Sequence, residues 1–486
     1  MITLTLILLP LLAALVTFAV GGENAKRIAF VGALANLAVL LFAWSQFSLD
    51  EKAPLVQFPF SAEWLPIANI KFALGMDGIS LLLVLLTNLL VPVIILSTFH
   101  HNYKNPSAFY SLILIMQTGL IGVFTAQDAF IFYFFWEVAL IPIYFIAAVW
   151  GGERRIQVTL KFFIYTVFGS LFMLLALLYL YFRTEGVHSS ALNDIYSLKG
   201  VLSPTEQTYI FWALFLAFAI KMPVFPFHSW QPDTYTESPA PATMLLSGIM
   251  LKMGIYGAIR WLIPIVPTAL DYWKFTVIIL SIIGILYGSI IALRQKDIKR
   301  LLAYSSFAHV GLMAAGVFTG NFEGVQGAVI QMLAHGINVV GLFLIIEAIE
   351  SRIGVRDLEH LGGITQKAPV LTVLFVILLL GSVALPLTNG FIGEFMLLLG
   401  VFKYNNWFGV VAGITIILGA AYMLRMFQGT MFGTQSNYTK NMTDLNTTEK
   451  LALLPLVVMV FWIGLYPATF TKVIEPSVQQ IITILK

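Results

Sequence analysis

A chain of 486 residues that is 59% hydrophobic and only 10% charged cannot clothe a soluble surface, because soluble domains carry about 25% charge. A mean hydropathy of +0.90 makes the bilayer its natural solvent, and the small net charge of +3, with no basic run, gives no sign of nucleic-acid binding. With no cysteine, disulfides, thiolate metal sites and iron–sulfur ligation are excluded, and the expectation is a chain holding no cofactor and no metal.

A spanning helix needs about 20 apolar residues. Segments of that kind fall near 2–20, 27–47, 77–99, 108–126, 128–149, 158–182, 207–228, 241–262, 273–293, 299–317, 324–349, 369–401, 406–430 and 452–472. The first resembles a signal peptide but lacks a basic start and a small-residue cleavage site, so it is read as a membrane helix. The fold class is therefore an all-α integral membrane protein of about 14 transmembrane helices.

Two segments are irregular. The seventh contains Pro223 and Pro226 and runs on into HSWQPD; the twelfth is 33 residues long and is interrupted at Pro386, Asn389 and Gly390. Proline removes a helix hydrogen bond, and freed backbone groups in a membrane must be buried in protein or face water. Paired broken helices in corresponding positions mark internal repeats. Helices 7 and 12 are thus read as broken, each the fourth of a five-helix unit. The division is 1–107 for helices 1–3, 108–262 for the first repeat (helices 4–8), 273–430 for the second (helices 9–13), and 431–486 for the C-terminal loop and helix 14. Five is odd, so the second repeat starts on the opposite side and is inverted.

Loops after odd-numbered segments hold more Lys and Arg, among them Lys26, Arg27, Lys104, Arg154, Arg155, Arg294, Lys296 and Arg356, than loops after even-numbered ones. Positive loops stay inside, which places both termini outside. The longest loops, 48–76, 183–206 and 431–451, carry no phosphate loop or Ser/His/Asp arrangement, which argues against a soluble active site.

Six ionisable residues stand at mid-membrane depth: Glu137, Lys221, Lys252, His309, His335 and Glu394. Such groups are costly and persist when paired, hydrated or used. Glu137 lies in FIFYFFWEVALIPIYF and Lys221 just before the first break. A Glu–Lys pair whose separation changes is a proton switch; a fixed salt bridge between segments 5 and 7 is the other reading. Lys252 is central in segment 8 among Ser247, Gly248, Gly254 and Gly257, as a relay amine or as a cation held by broken-helix carbonyls. His309 and His335, flanked by Ser305, Ser306, Gln331 and Asn338, suggest a polar track, since both imidazole nitrogens carry protons. Glu394 follows the second break, with Gly390 and Gly393 leaving space beside it. Lys161 is expected to snorkel to the interface, and Asp77, Asp128, Glu347 and Arg425 to lie near span ends or have aqueous access. His228, Asp233 and Glu237 are candidates for a cavity mouth, and the aromatic residues are expected to face mostly lipid.

Together with the stretches FFWEVALIPIYFIAAVWGG, KMPVFPFHSWQPDTYTESPAPATMLLSGIMLKMGIYGAIR, DIKRLLAYSSFAHVGLM and LPLTNGFIGEFMLLLG, these residues resemble the antiporter-like subunits of respiratory complex I. The resemblance implies fourteen helices in two inverted repeats. It also implies a proton path through Glu137, Lys221, Lys252, His309, His335 and Glu394, driven by quinone reduction elsewhere in the complex. Glu394 stands where the L- and N-type sisters have lysine, and the chain is expected to end after helix 14 without the long lateral helix of the L type. Tyr235 replaces a familiar loop histidine, with His228 as a candidate substitute. The implied partners are the L- and N-type subunits, the L-type lateral helix, lipids and protons. The implied location is a bacterial inner membrane. A subunit of a multisubunit Na+/H+ antiporter, or of an ion-pumping hydrogenase or ferredoxin-dependent complex, is the rival reading.

Overall fold

A computed structural model describes residues 1–50 and 52–485; Lys486, the end of the last expected unit, lies outside them. Amides in hydrocarbon must bond within their own segment, so the long apolar runs fold as helices. Helices α1 (Ile2–Val20) and α2 (Asn24–Gln46) come first. The loop expected at 48–76 contains an antiparallel hairpin, β1 (Gln57–Leu65) and β2 (Ile70–Met76), whose alternating side chains are too few to register in a hydropathy scan.

There follow α3 (Gly78–Ser97), α4 (Pro106–Thr125), α5 (Ala129–Trp150), α6 (Arg155–Arg183) and the short α7 (Leu192–Ser197). Helices α8 (Pro204–Lys221), α9 (Trp230–Glu237) and α10 (Ala240–Leu262) form the seventh and eighth segments. Next are α11 (Pro267–Arg294), α12 (Ile298–Phe318) and α13 (Phe322–Ile353). The chain continues with α14 (Pro369–Ser382), α15 (Asn389–Tyr404), α16 (Asn406–Met431), α17 (Thr447–Leu465) and α18 (Ala468–Leu485).

Starts coincide with side chains that close the first turn. Asp77, Asp128, Asp297 and Asn321 each accept backbone N–H groups of the helix they precede. Ser203 with Glu206, and Asn446 with Glu449, form reciprocal capping boxes at α8 and α17.

Twelve helices among the described residues are long and apolar enough to cross a membrane, and they are segments 1–6, 8–11, 13 and 14 of the sequence. The other two expected segments are the broken ones. Helix α8 stops at Lys221 ahead of Pro223, and the chain turns through Met222–Ser229 before α9. Helix α14 stops at Ser382, and the connection to α15 passes through Ala384 and Leu387, both with positive φ (56° and 76°). Non-glycine residues adopt that conformation only where their surroundings impose it.

Helices α10 and α13 are wholly enclosed, whereas α1, α2 and α16 leave most of their apolar surface outward. Many aromatic residues face outward, Phe18, Phe42, Phe168, Trp407 and Trp462 among them, but Trp136, Trp230, Trp261, Tyr235 and Tyr256 are among the largest fully buried side chains. Their hydrophobic area fills the gaps between the helices that carry the charges.

Candidate functional site

The centre of α10 is widened. Leu246–Met250 and Ala258–Leu262 are π-turns, and Leu251 N–H bonds to the Leu246 carbonyl. Such turns leave carbonyls free for side chains and recur at functional sites. Here Lys252 Nζ donates to the Ser247 carbonyl at 2.5 Å, so the reading of this lysine as held by helix carbonyls is correct in part. The same amine lies 2.9 Å from His335 Nδ1 on α13. Both residues are buried, Lys252 entirely. With the amine donating, His335 carries its own proton on Nε2.

The rings of His335 and His309 face each other with centroids 5.9 Å apart, as their matching depth suggested. His309 Nδ1 lies 2.8 Å from Glu394 Oε1, at ion-pair distance but off the line that a ring N–H donor needs. Gln331 Nε2 donates to the same carboxylate oxygen at 3.2 Å. Four expected residues, Lys252, His335, His309 and Glu394, therefore form one contiguous row across α10, α13, α12 and α15.

A cavity of ≈ 10 Å³ lies beside the histidines, lined by Ser305, Ser306, His309, Gln331, His335 and Asn338. That volume accommodates one water. Ser306 Oγ, Gln331 Oε1, Asn338 Oδ1 and His335 Nε2 have no protein partner, so this water would have several groups to bond.

The break in segment 12 is pinned to this row. Asn338 Nδ2 donates to Asn389 Oδ1 at 3.1 Å, and Asn389 Nδ2 donates to the Ala334 carbonyl at 3.3 Å. Gly393 does not leave space beside Glu394, as the sequence suggested. A Cβ there would come within 2.4 Å of Gln331 Oε1, so the glycine is what lets α15 close on α13.

The first half of the expected set is arranged differently. Glu137 is half-buried with Oε1 unpartnered, and it makes no ion pair with Lys221 among the described residues. Lys221 is 1% exposed and its amine has no hydrogen-bond partner. It lies 5.3 Å from the centre of the Trp136 ring and 5.9 Å from that of Phe162. The expected pair is thus not in direct contact, and aromatic faces lie beside the amine instead. Gly254, two residues beyond Lys252, packs directly against the Phe218 carbonyl and the Met222 amide at the end of α8.

Other expectations are corrected. Lys161 does not snorkel: it donates to the Ser229 carbonyl at 2.8 Å and to Asp233 at 3.1 Å, and Arg300 binds the other Asp233 oxygen at 3.2 Å. These bonds tie the first break to α6 and α12. His228 is buried, stacked between Phe225 and Phe307, and lines no cavity mouth. Asp77 and Asp128 do lie at span ends, as caps of α3 and α5, and are buried there; Asp77 pairs with Arg260, and Asp128 accepts from Ser190 Oγ at 2.6 Å. Glu237 and Glu347 do line a cavity, a charged vestibule of ≈ 770 Å³ that also presents Lys299, Glu350 and Arg356 on the side away from the hairpin.

Sequence reading missed Tyr422, which is buried and accepts a hydrogen bond from Ser305 Oγ at 3.1 Å. Nothing local marks it in the run ITIILGAAYMLRMF. Tyr256 and Arg260 were also missed, although their spacing from Lys252 in steps of four was a usable sign.

The comparisons agree with this architecture. Residues 126–419 match the sequence profile described as NADH:quinone oxidoreductase/Mrp antiporter, TM. The chain belongs to that family. NADH-quinone oxidoreductase subunit M of Rickettsia prowazekii (strain Madrid E) is 38% identical over 483 residues, covering 98% of this chain and 97% of the relative. A chain of respiratory complex I from Thermus thermophilus with bound NADH superposes with a TM-score of 0.92 at 31% identity, covering 100% of both. A chain of the Mrp complex from Dietzia sp. DQ12-45-1b shares the fold alone, with a TM-score of 0.84 at 18% identity, over 100% of this chain and 55% of that one. Of these three relatives, the two full-length ones above 30% identity are subunit M and a chain of complex I.

Proposed function

We propose that the chain is a proton-translocating subunit of the membrane arm of a complex I-type NADH–quinone oxidoreductase, and that its path runs through Glu137, Lys221, Lys252, His335, His309 and Glu394. The observation that carries the path is the contiguous row from Lys252 to Glu394, with a one-water cavity beside its histidines. Full-length likeness to subunit M supports the setting.

Quinone reduction elsewhere in the complex drives the chain. Approach and separation of Glu137 and Lys221 is the driven step. With Glu137 close, Lys221 holds its proton; with Glu137 withdrawn, Lys221 passes it toward Lys252. Lys252 hands it to His335 Nδ1, His335 Nε2 exchanges with His309 through the small cavity, and Glu394 receives it. The charged vestibule admits protons from the cytoplasm, and both termini and the hairpin lie outside. The L- and N-type subunits, with the L-type lateral helix, flank the chain in a bacterial inner membrane.

The test is NADH-driven acidification in vesicles bearing the assembled complex. Lys221→Ala and Glu137→Ala should each sharply reduce pumping. Normal pumping in both would end the proposal.

A further inference from the structure

One buried charge pair stands apart from this path. Asp77 precedes α3 and Arg260 lies near the end of α10, both essentially inaccessible to solvent and in direct contact. Two opposite charges so deep are costly to bury, and removing one alone leaves the other uncompensated. The pair closes the hairpin end of α10, the same helix that carries Lys252.

Tyr256 lies between Lys252 and Arg260 on that helix, four residues from each. Its hydroxyl is 3.2 Å from Ser80 Oγ and donates to the Phe124 carbonyl at 3.0 Å. Ser80 N–H in turn donates to Asp77 Oδ1 at 2.9 Å. Two exchangeable hydroxyls, those of Tyr256 and Ser80, therefore stand between the level of Lys252 and a carboxylate at the outer end, which Ser80 meets through its backbone N–H. At that carboxylate stands a guanidinium, which does not give up its proton and which repels an arriving one.

The pair is also covered. Gly78 N–H donates to Ser477 Oγ of α18 at 3.1 Å, and a Cβ on Gly78 would come within 1.9 Å of the Val473 carbonyl. The amphipathic α18 thus lies directly on the start of α3 and shields Asp77. On the other side Tyr196 O–H donates to the Arg260 carbonyl at 2.8 Å.

We infer that Asp77 and Arg260 form an electrostatic seal at the outer end of the Tyr256–Ser80 hydroxyl pair, and that it keeps protons at the level of Lys252 from escaping to the outer face by way of those two hydroxyls. This rests on Lys252 being a proton carrier. The seal confines protons to the route through the histidines and Glu394, so that the first repeat does not short-circuit the second.

The test measures passive proton entry into liposomes holding the assembled complex, with an internal pH dye, an imposed potassium diffusion potential and no NADH. Asp77→Asn with Arg260→Gln removes both charges and leaves no lone buried ion. It should raise passive flux several-fold, and adding Tyr256→Phe should return the flux to the wild-type value. Unchanged flux in the assembled double variant, or a leak that Tyr256→Phe does not lower, overturns the seal. Should the double variant fail to assemble, Arg260→Met is read by the same two outcomes. A purely bracing pair would lower complex stability without moving passive flux. Lys252→Met separates the two readings: if it leaves NADH-driven pumping intact, the relay itself fails, whereas lost pumping without a leak in the double variant sinks the seal alone.

Discussion

The two broken helices hold opposite charges in opposite kinds of surroundings. At the first, Lys221 closes α8 with no hydrogen-bond partner, facing the rings of Trp136 and Phe162. At the second, Glu394 sits within reach of Gln331 and His309, and Asn389 fastens the break to α13. Corresponding positions in the chain thus give one group free to change its state and one already built into a network. The first suits a group whose partner comes and goes; the second suits a terminus that accepts what is delivered.

Removing the free amine is the strongest way to break that contrast. Lys221→Ala should lower NADH-driven pumping by about tenfold or more, the scale of losing a positioned proton carrier, read as the initial rate of vesicle acidification. Glu394→Gln keeps a polar group beside Gln331 but cannot carry a proton as a carboxylate does. Its pumping should fall by a smaller factor than in Lys221→Ala, in the same assay.

Packing at the second break is tested by Gly393→Ala, whose new methyl meets Gln331 at 2.4 Å. Overpacking of this kind costs about 1–3 kcal/mol, so the thermal midpoint of the assembled complex should drop. Trp136→Leu removes the nearer ring beside Lys221. A cation–π contact of this kind contributes about 0.5–2 kcal/mol, so a modest loss of pumping with unchanged assembly is expected. Gly413→Ala is the smallest change, because nothing lies within 4 Å of the added carbon. It should stay within about 0.5 kcal/mol of the wild-type chain in the melting assay.

Much of the site was legible because a membrane makes polarity conspicuous. Lys252, His309, His335 and Glu394 are isolated ionisable groups in apolar runs, and the structure brings all four into one row. Glu137 and Lys221 were conspicuous for the same reason, yet their separation was not legible, since distance between two helices depends on how the break at Pro223 is turned. The covering of Asp77 was not legible, because nearness to a span end says nothing about what lies over that end. Here α18 and Arg260 do. His228 failed similarly, as a loop position that the fold stacks between aromatic rings.

The amino-acid sequence by itself determined the solvent, the order of the helices and the places where two of them break. Hydropathy and proline act over a few neighbouring residues, and a bilayer leaves the backbone little choice but a helix. Only the tertiary structure decided which buried charges meet. Lys252 reaches His335 across 83 positions and Asp77 reaches Arg260 across 183, and contacts at such separations follow from how enclosed helices pack, not from any local pattern.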